Sequence, residues 1–297
     1  SYTTIGGVKY GLMQGGKCIV IGADGATGDI TFENEVVIDG DKHTVTGVCG
    51  SGDYKEVTGH ENGFSGNTDI TGITFKDGSQ ITWIGDHAFK ECSKLKTINN
   101  VPAGLTDINE WCFESTALES VDLSNTNVTI MKDGVFFNNK SLTSIQLPNN
   151  LKYVWNNAFN GCTSLNEIVM PSTVEAIYNY VFAGCTSLSS VTLKEGCTTL
   201  GDHVFKDCPF TSIIFPRTLS SIREYAFEGS GLTSADLSNT KIEYLPNGCF
   251  CNCTKLKEVQ LPSTLTTPNS GEWKNEDDNN YGKNAFQYTA IESIDLT

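Results

Sequence analysis

Apolar and polar positions recur with a fixed period along most of this chain. Residues 158–165 read Ala-Phe-Asn-Gly-Cys-Thr-Ser-Leu, and residues 181–188 read Val-Phe-Ala-Gly-Cys-Thr-Ser-Leu, about 23 residues further along. Identity at such a period indicates one supersecondary unit stacked on copies of itself, because a single unit cannot bury its apolar face alone. The pattern therefore predicts a solenoid of repeated coils.

One phenylalanine marks each period, and we call it the anchor. The anchors are Phe64, Phe89, Phe113, Phe136, Phe159, Phe182, Phe205, Phe227, Phe250 and Phe286. Five or six residues after an anchor, apolar and polar residues alternate with the period of two of a half-buried strand, as in Leu142, Ile145 and Leu147. A second apolar pair before the anchor, such as Leu151 and Val154, closes the far side of the coil. We expect about ten coils of about 23 residues.

Short polar and small residues flank the anchors. Three positions before an anchor stand Asp86, Asp133, Asn156, Asn179, Asp202 and Asn247. Two positions after an anchor stand Asn138, Gly161, Gly184, Gly229 and Asn252. Side-chain acceptors at the first position are typical of helix N-caps, and glycine or asparagine at the second is typical of a helix end. We therefore expect one helical turn around each anchor, which makes the predicted fold class an α/β repeat.

Residues 1–62 lack the repeat and contain short apolar runs, at 18–21, 30–32 and 36–38, separated by glycine and aspartate. Such runs are typical of strands. Asp39 and Gly40 predict a hairpin, since glycine supplies the positive φ that a tight turn requires. Because the apolar end of a repeat stack must be covered, we expect residues 1–62 to be an N-terminal β cap and residues 63–297 to be the solenoid.

Charge narrows the range of partners. The 297 residues include 35 acidic and 20 basic residues, a formal net charge of -15. This charge repels phosphate backbones and anionic lipids, so neither nucleic acid nor a membrane surface is an expected partner. No apolar run approaches the roughly 18 residues of a transmembrane helix, and we expect no membrane insertion by this chain. It starts at Ser1 without a basic and hydrophobic leader, which is compatible with an export signal that has been removed.

The eleven cysteines follow the repeat rather than forming obvious pairs. Those that stand three residues after an anchor are Cys92, Cys162, Cys185, Cys208 and Cys253. A free cysteine packs as a small hydrophobe, so we expect an inward-facing row. Cys249 and Cys251 alternate with Cys253 but lack the second ligand pair of a zinc site, and we expect no metal there. Cys18 and Cys49 lie outside the repeats, and the sequence leaves open whether they form a disulfide.

The spacing of phenylalanine, cysteine and leucine, with Leu-Pro at strand ends such as Leu147-Pro148, closely resembles the BspA-like leucine-rich repeats of bacterial surface proteins. The resemblance covers about residues 64–297, and residues 36–48 also resemble the start of that family. The departures from its pattern are Asn139 in the cysteine slot, Asn100 in a strand, the shortened units at Phe113, Phe205, Phe227 and Phe286, and an insert after Pro268. The resemblance implies secreted or cell-surface proteins that act in adhesion and in host or matrix contact, and it carries over no catalytic residues.

Motifs of catalysis and cofactor binding are absent from the sequence. The histidines are His43, His60, His87 and His203. They form no recognisable metal or triad spacing, no glycine-rich phosphate loop follows a strand, and G-x-S-x-G does not occur. His87 and His203 share a repeat position with Trp111, Tyr180 and Tyr225, which favours a packing role. We expect neither an enzyme nor a bound cofactor.

Residues that flank the central apolar position of each coil strand are expected to point to solvent. They form a small, polar and mildly acidic row that contains no lysine, arginine or aromatic residue. The candidate partner-binding residues in this row are Ser144, Gln146, Glu167, Glu258 and Gln260. Because strong hot spots are usually Trp, Tyr or Arg, a solvated face without a partner is an equal alternative. If the face binds, a weak, wide or basic ligand fits best.

The insert at about 269–280 is a second candidate surface, since insertions into repeats often form functional loops. Trp273 has the chemistry to stack on a sugar or to enter a protein pocket. Glu276, Asp277 and Asp278 offer hard oxygen ligands, but their spacing lacks the alternation and the glycine of an EF-hand. A mobile solvated loop is the plainer alternative, and binding of an ion or a sugar is left open.

A lesser aromatic group consists of Trp155, Tyr178 and Tyr180 on the side of the predicted helical turns. Packing is favoured for these rings over partner contact, because aromatic side chains contribute large buried areas to cores.

These features together predict a non-enzymatic extracellular or cell-surface module. It is expected to bind a host or matrix protein through its repeated polar face, since a rigid array loses little entropy on binding. One alternative is a carbohydrate-binding accessory protein that uses the loop at 269–280. Another is a structural spacer without a partner of its own, and the oligomeric state is left open.

Overall fold

The computed structural model describes residues 1–51, 63–266 and 284–296. The chain forms two compact units, Ser1–Asn150 and Leu151–Thr297, called unit 1 and unit 2 below. The expected boundary between the cap and the solenoid, at residues 62 and 63, lies at the edge of a stretch outside the described residues, so the division into a cap and a solenoid stays a prediction.

The described part of the chain consists of short strands joined by turns. The strands of unit 1 are β1 (Tyr2–Ile5), β2 (Val8–Leu12), β3 (Cys18–Ala23), β4 (Gly28–Phe32), β5 (Glu35–Ile38), β6 (Asp41–Val48), β7 (Ile70–Phe75), β8 (Trp83–Ile84), β9 (Thr97–Asn99), β10 (Asp107–Ile108), β11 (Ser120–Asp122), β12 (Ile130–Met131) and β13 (Ser144–Gln146). The strands of unit 2 are β14 (Tyr153–Val154), β15 (Glu167–Val169), β16 (Ala176–Ile177), β17 (Ser190–Thr192), β18 (Thr199–Leu200), β19 (Ser221–Ile222), β20 (Ser234–Asp236), β21 (Glu258–Leu261) and β22 (Ser293–Leu296).

The first strands of unit 1 confirm the predicted short strands and the predicted hairpin. β1, β2 and β3 pair antiparallel in order, and β5 and β6 form a hairpin. Asp39 and Gly40 connect that hairpin with φ values of 55° and 92°, the positive φ at both central residues that a type I′ turn requires. β6 then pairs parallel with β8, and β8 with β10. The antiparallel strands therefore lead directly into the parallel ladder of the first coils.

Each regular coil contributes one strand to each of two parallel ladders, which confirms the predicted repeat solenoid. In unit 1, β4, β7 and β9 pair in order, as do β11 and β13. In unit 2, β15 pairs with β17, and β20, β21 and β22 pair in order. The second ladder of unit 2 joins β14, β16, β18 and β19. Paired residues lie about one repeat apart, as Glu167 and Ser190 do.

The anchors form the core of both units as stacks of nearly parallel rings. In unit 1, centroid separations along Phe64, Phe89, Phe113 and Phe136 are 5.1, 5.3 and 5.6 Å. In unit 2, those along Phe159, Phe182, Phe205, Phe227, Phe250 and Phe286 are 5.4, 5.6, 5.5, 5.4 and 5.8 Å. Each aromatic pair contributes about 0.5–1.5 kcal/mol beyond area burial, so the fixed period itself stabilises the stack.

The predicted helical turn around each anchor is wrong, because the described residues contain no helix, and the solenoid is built there from strands and turns rather than as an α/β repeat. The segment forms successive turns in which alternate amides have different acceptors. Ala158 N–H donates within the coil to Trp155 O at 3.3 Å, whereas Phe159 N–H donates to Val181 O of the next coil at 3.0 Å. Asn157, two positions before the anchor, has a φ of 61°. A helix requires negative φ at every residue and an acceptor four residues earlier for each amide. Here Asn157 has a positive φ, and alternate amides donate to the next coil instead.

The polar residues three positions before the anchors are therefore not helix caps. The Asn156 Oδ1 atom accepts from the N–H of Asn179 at 3.0 Å, and Asn179 Oδ1 accepts from the N–H of Asp202 at 2.9 Å. Each acceptor thus bonds to the equivalent position of the following coil. The predicted left-handed residues two positions after the anchors are confirmed: φ is 61° at Asn138, 75° at Gly161, 71° at Gly184, 67° at Gly229 and 61° at Asn252.

The cysteines form the expected inward-facing row, and all eleven are free and buried, Cys18 and Cys49 included. The Sγ atom of Cys185 donates to the carbonyl of Phe159, the anchor of the preceding coil, at 3.2 Å. Cys92, Cys208 and Cys253 donate to the equivalent carbonyls at 3.1, 3.1 and 2.9 Å. Burial raises the pKa of Cys92 to about 12 and that of Cys253 to about 11. The thiols therefore stay protonated and can donate.

Asn139 in the cysteine slot follows the same rule. Its Nδ2 atom donates to the carbonyl of Phe113 at 2.7 Å, and its Oδ1 atom bonds the hydroxyl of Thr116. Asn139 is fully buried. The slot therefore selects a small side chain that donates a hydrogen bond, which a thiol and an amide both satisfy.

Candidate binding face

The strand face consists of the outward residues of the first ladder in each unit, on either side of the buried central position. Glu167 and Val169 flank Ile168, whose side chain is 1% exposed. The candidate residues of this row, Ser144, Gln146, Glu167, Glu258 and Gln260, are all exposed, as the alternation predicts. Their exposure makes the face available to a partner, and partner binding by these residues stays a prediction.

In unit 1 the polar groups of this face bond to one another. Thr74 Oγ1 donates to Asp29 Oδ1 at 3.3 Å, and Asn99 Nδ2 donates to Thr74 Oγ1 at 3.4 Å. Asp122 accepts from the amide of Ser124 at 2.9 Å and from its hydroxyl at 2.6 Å. The side chains of this region therefore have hydrogen-bond partners within their own unit.

In unit 2 the face is more acidic around β20, β21 and β22. Asp236 accepts from the amide and the hydroxyl of Ser238 at 3.0 and 2.6 Å. With its amide oriented toward Asp236, Gln260 donates to both carboxylate oxygens at 3.0 Å. Gln260 lies opposite Asp295, and Glu258 lies opposite Ser293. Three carboxylates thus lie on neighbouring exposed strands.

The regular face of unit 2 is interrupted at residues 212–215. The sequence predicts a strand here with Ser212 and Ile214 pointing outward, but the segment is not a strand, and the ladder stops at β17 and restarts at β20. Within the described residues, the backbone of this 212–215 segment makes no hydrogen bond. Ile214 is 85% exposed. The interruption therefore presents an aliphatic side chain and backbone groups that no neighbouring coil uses.

Large buried rings explain the interruption. Phe210 and Phe215 are buried, and their rings meet the anchor Phe227 edge-on at 6.5 and 5.6 Å. Phe210 also meets Phe205 edge-on at 5.3 Å. Pro209 precedes these rings and has no amide with which to bond the preceding coil. The larger core and the missing donor together separate this coil from the ladder.

An apolar strip runs along the outward positions beside the interruption. Val169 is 44% exposed and lies opposite Thr192 in the paired strands. Ile214 occupies the equivalent outward position of the next coil. The sequence row contains both residues, but its average polarity hides them. Two β-branched apolar residues at outward positions are the signal that identifies the strip.

The aromatic candidates of unit 2 do not form the group expected from sequence. Tyr178 meets Tyr153, with ring centroids 6.5 Å apart. Tyr180 stacks on His203 at 4.7 Å, and His203 stacks on Tyr225 at 5.1 Å. Trp155 is half-buried, and no ring contact within the described residues joins it to the two tyrosines. The rings of Tyr180, His203 and Tyr225 cover one another's faces, so these side chains mainly pack along the surface of the coils.

The remaining candidates, Trp273, Glu276, Asp277 and Asp278, and the whole loop at 269–280 lie outside the described residues. Among the residues that the structure does describe, no group of three or more His, Cys, Asp or Glu side chains is placed to hold a metal ion. In the same residues, no helix is long and apolar enough to cross a membrane.

Comparison with known proteins identifies the family of the repeat. The model of the BspA type leucine-rich repeat region matches in 6 copies, over residues 60–189 and 175–297. A leucine-rich repeat protein from Bacteroides ovatus is 21% identical with a TM-score of 0.63, and the alignment covers 89% of this chain and 75% of that chain. A leucine rich cell surface protein from Faecalibacterium prausnitzii is 20% identical with a TM-score of 0.52, covering 99% and 94%.

At these identities the two structures show a shared fold alone. No curated protein matches the sequence. The repeat matches extend over most of the chain and agree with the observed ladders and anchor stacks. The chain therefore belongs to the BspA-type leucine-rich repeat family.

Proposed function

We propose that this protein is a non-enzymatic binding module of the cell surface or extracellular space, which contacts a host or matrix protein through its strand face. The observation that carries the proposal is the exposed face of unit 2, where Val169 and Ile214 lie among carboxylates. Exposed apolar residues rimmed by polar ones mark interaction sites on soluble proteins. The description of the Faecalibacterium prausnitzii protein as a cell surface protein supports the location.

The architecture suits a contact of this kind. Parallel ladders and stacked anchors hold the outward side chains of each unit in fixed register. A rigid surface loses little conformational entropy when it binds, so modest contacts can produce measurable affinity. The polar residues around the apolar strip add specificity through hydrogen bonds at the rim.

Binding of the purified full chain to a panel of matrix proteins and a panel of glycans tests the proposal. A variant that lacks residues 269–280 and the variant Trp273→Ala accompany the wild type. We expect saturable binding to at least one protein, retained in both variants. Glycan binding that Trp273→Ala abolishes would replace the proposal with carbohydrate recognition by the loop. Absence of binding on both panels would leave a spacer role instead.

A further inference from the structure

We infer that the apolar strip of unit 2 docks an extended, basic segment of the partner protein, with an aliphatic side chain of that segment on Ile214 and its lysine or arginine residues over the flanking carboxylates. This inference rests on the proposed function and specifies the chemistry of the partner. Its grounds are the exposed apolar centre, the uncommitted backbone beside it and the sign of the surrounding charge.

The apolar centre is small and well defined. Ile214 is 85% exposed, the highest value among the exposed large hydrophobic residues that the structure describes, and Val169 is 44% exposed. Thr192 lies between them along the ladder and contributes a methyl group. Burial of one aliphatic side chain contributes about 1.5–3 kcal/mol, so a complementary side chain has a definite place to bind.

The backbone beside Ile214 favours an extended ligand. The 212–215 segment makes no backbone hydrogen bond within the described residues, whereas the flanking strands β17 and β20 each pair with a neighbour on their other side. Recognition of an extended peptide commonly combines main-chain hydrogen bonds with a pocket for every second side chain. The segment lies between the coils that carry β17 and β20, so an extended ligand reaches it from the outer side, where Ile214 is exposed.

The surrounding charge selects a basic segment. The outward strand positions of unit 2 carry Glu167, Asp236, Glu258 and Asp295, and none of these positions carries lysine or arginine. Lys194 and Arg217 follow outward positions in the sequence rather than occupying them. At a strand spacing of about 4.8 Å, carboxylates lie one and two coils from Ile214, roughly 5–10 Å away. This distance is comparable with the Debye length of about 8 Å at physiological salt.

The same charge argues against a second copy of this chain as the occupant. Two copies that meet through this face would bring Glu167, Asp236 and Glu258 against carboxylates of the same sign. Like charges placed opposite each other oppose association, and the net charge of -15 adds to the repulsion. A partner of opposite sign has the complementary field.

Synthetic peptides test the inference on the full chain. The probe is the soluble nine-residue peptide Lys-Ser-Lys-Ser-Val-Ser-Lys-Ser-Lys, whose valine and lysines share one face when it is extended, and two matched peptides replace lysine by glutamate or valine by serine. Binding is measured by fluorescence anisotropy in about 50 mM and about 300 mM salt, which spans a threefold range of screening length or less. We expect the lysine-valine peptide to bind, the other two to bind at least tenfold more weakly, and affinity to fall with salt.

Paired variants locate the site. Ile214→Ser should weaken peptide binding by about tenfold and Asp236→Asn by about threefold. Val37→Ser is the control for a lost exposed apolar residue, since Val37 is 57% exposed in unit 1. Asp122→Asn is the control for a lost carboxylate, because Asp122 accepts from Ser124 as Asp236 does from Ser238. Both controls should change affinity by less than twofold.

Two results would overturn the inference. One is equal loss in the control and test variants, and the other is equal binding of the valine and serine peptides. If a matrix protein binds the chain and Ile214→Ser does not weaken it, the docking site is wrong and the proposed function stands. If neither a peptide nor any matrix protein binds, both fail.

Discussion

The coils of Phe205 and Phe227 share the same shortened distance from the anchor to the strand position, and they differ in the strand that follows. In each, the first buried apolar residue comes five positions after the anchor, Phe210 in one and Leu232 in the other. The coil of Phe227 forms β20 and pairs with β21, whereas the 212–215 segment forms no strand. Shortening of the repeat is therefore not what interrupts the ladder.

The difference lies in the volume of the buried residues and in one backbone donor. Leu232 and Leu237 fill the positions that Phe210 and Phe215 fill one coil earlier. Gly231 donates its amide to Cys208 O of the preceding coil at 2.9 Å, and Pro209 at the equivalent position has no amide to donate. Interiors are packed at crystal density, so larger rings move the backbone that carries them. The same apolar pattern in two coils can thus produce two different outer surfaces.

Replacement of the extra ring should give the largest effect. Phe210→Ala removes a buried ring that meets both Phe205 and Phe227, and we expect the free energy of unfolding to fall by about 3–5 kcal/mol. Denaturant unfolding of the full chain measures the change. Leu232→Ala is the matched control, with an expected loss of about 2–5 kcal/mol. A loss below about 1 kcal/mol for Phe210→Ala would show that the ring is not part of the packed core.

Hydrogen exchange should distinguish the two strand positions next. The amide of Leu237 donates to Gln260 O at 2.8 Å, whereas the amide of Phe215 has no acceptor within the described residues. Protection factors should therefore differ by roughly tenfold or more, which corresponds to about 1.4 kcal/mol. Mass spectrometry of short peptides that cover residues 209–216 and 231–238 measures the difference. Equal protection would mean that the two coils are equally well paired.

The stability of the chain at alkaline pH should depend on Cys208, a thiol in the coil of Phe205 that the coil of Phe227 lacks. Burial raises the pKa of Cys208 well above its ordinary 9.0, and Ser230 occupies the same slot one coil later. The unfolded chain releases the thiol proton near its ordinary pKa, and the folded chain holds it. The buried Cys208 thiol therefore makes its full contribution to the free energy of unfolding below about pH 8.5, and this contribution falls as the pH rises further.

Cys208→Ser tests this pH dependence. We expect a loss of about 1 kcal/mol at pH 7 and a shallower decline of stability between pH 8 and pH 10.5, measured by denaturant unfolding at each pH. Asn139→Ser, which alters the same slot in another coil without removing a thiol, should leave the slope of the decline unchanged. A decline as steep in Cys208→Ser as in the wild type would mean that this thiol does not titrate on unfolding.

The repeat could be predicted because anchors, cysteines and strand residues recur together, and each recurrence is visible within one period. The helical turn was wrong for a physical reason. A residue such as Asn156 is equally suited to cap a helix and to accept from the next coil, and only the stacked structure shows which donor it meets. The interruption at 212–215 could not be read from a pattern of apolar and polar positions, because Phe210 and Leu232 are both simply apolar. Size decided it.

The smallest effect on stability should come from the residue that the interruption exposes. Ile214 is 85% exposed, so Ile214→Ser should change the free energy of unfolding by no more than about 0.5 kcal/mol. Ile213→Ser is the comparison within the same coil, since Ile213 is half-buried and should cost roughly 1 kcal/mol. Denaturant unfolding of both variants measures the pair. A loss above 1 kcal/mol for Ile214→Ser would show that the side chain packs against this coil, and it would no longer be available to a partner. A neutral result would separate stability from surface chemistry at this position, because Ile214 occupies an outward position and lies outside the core.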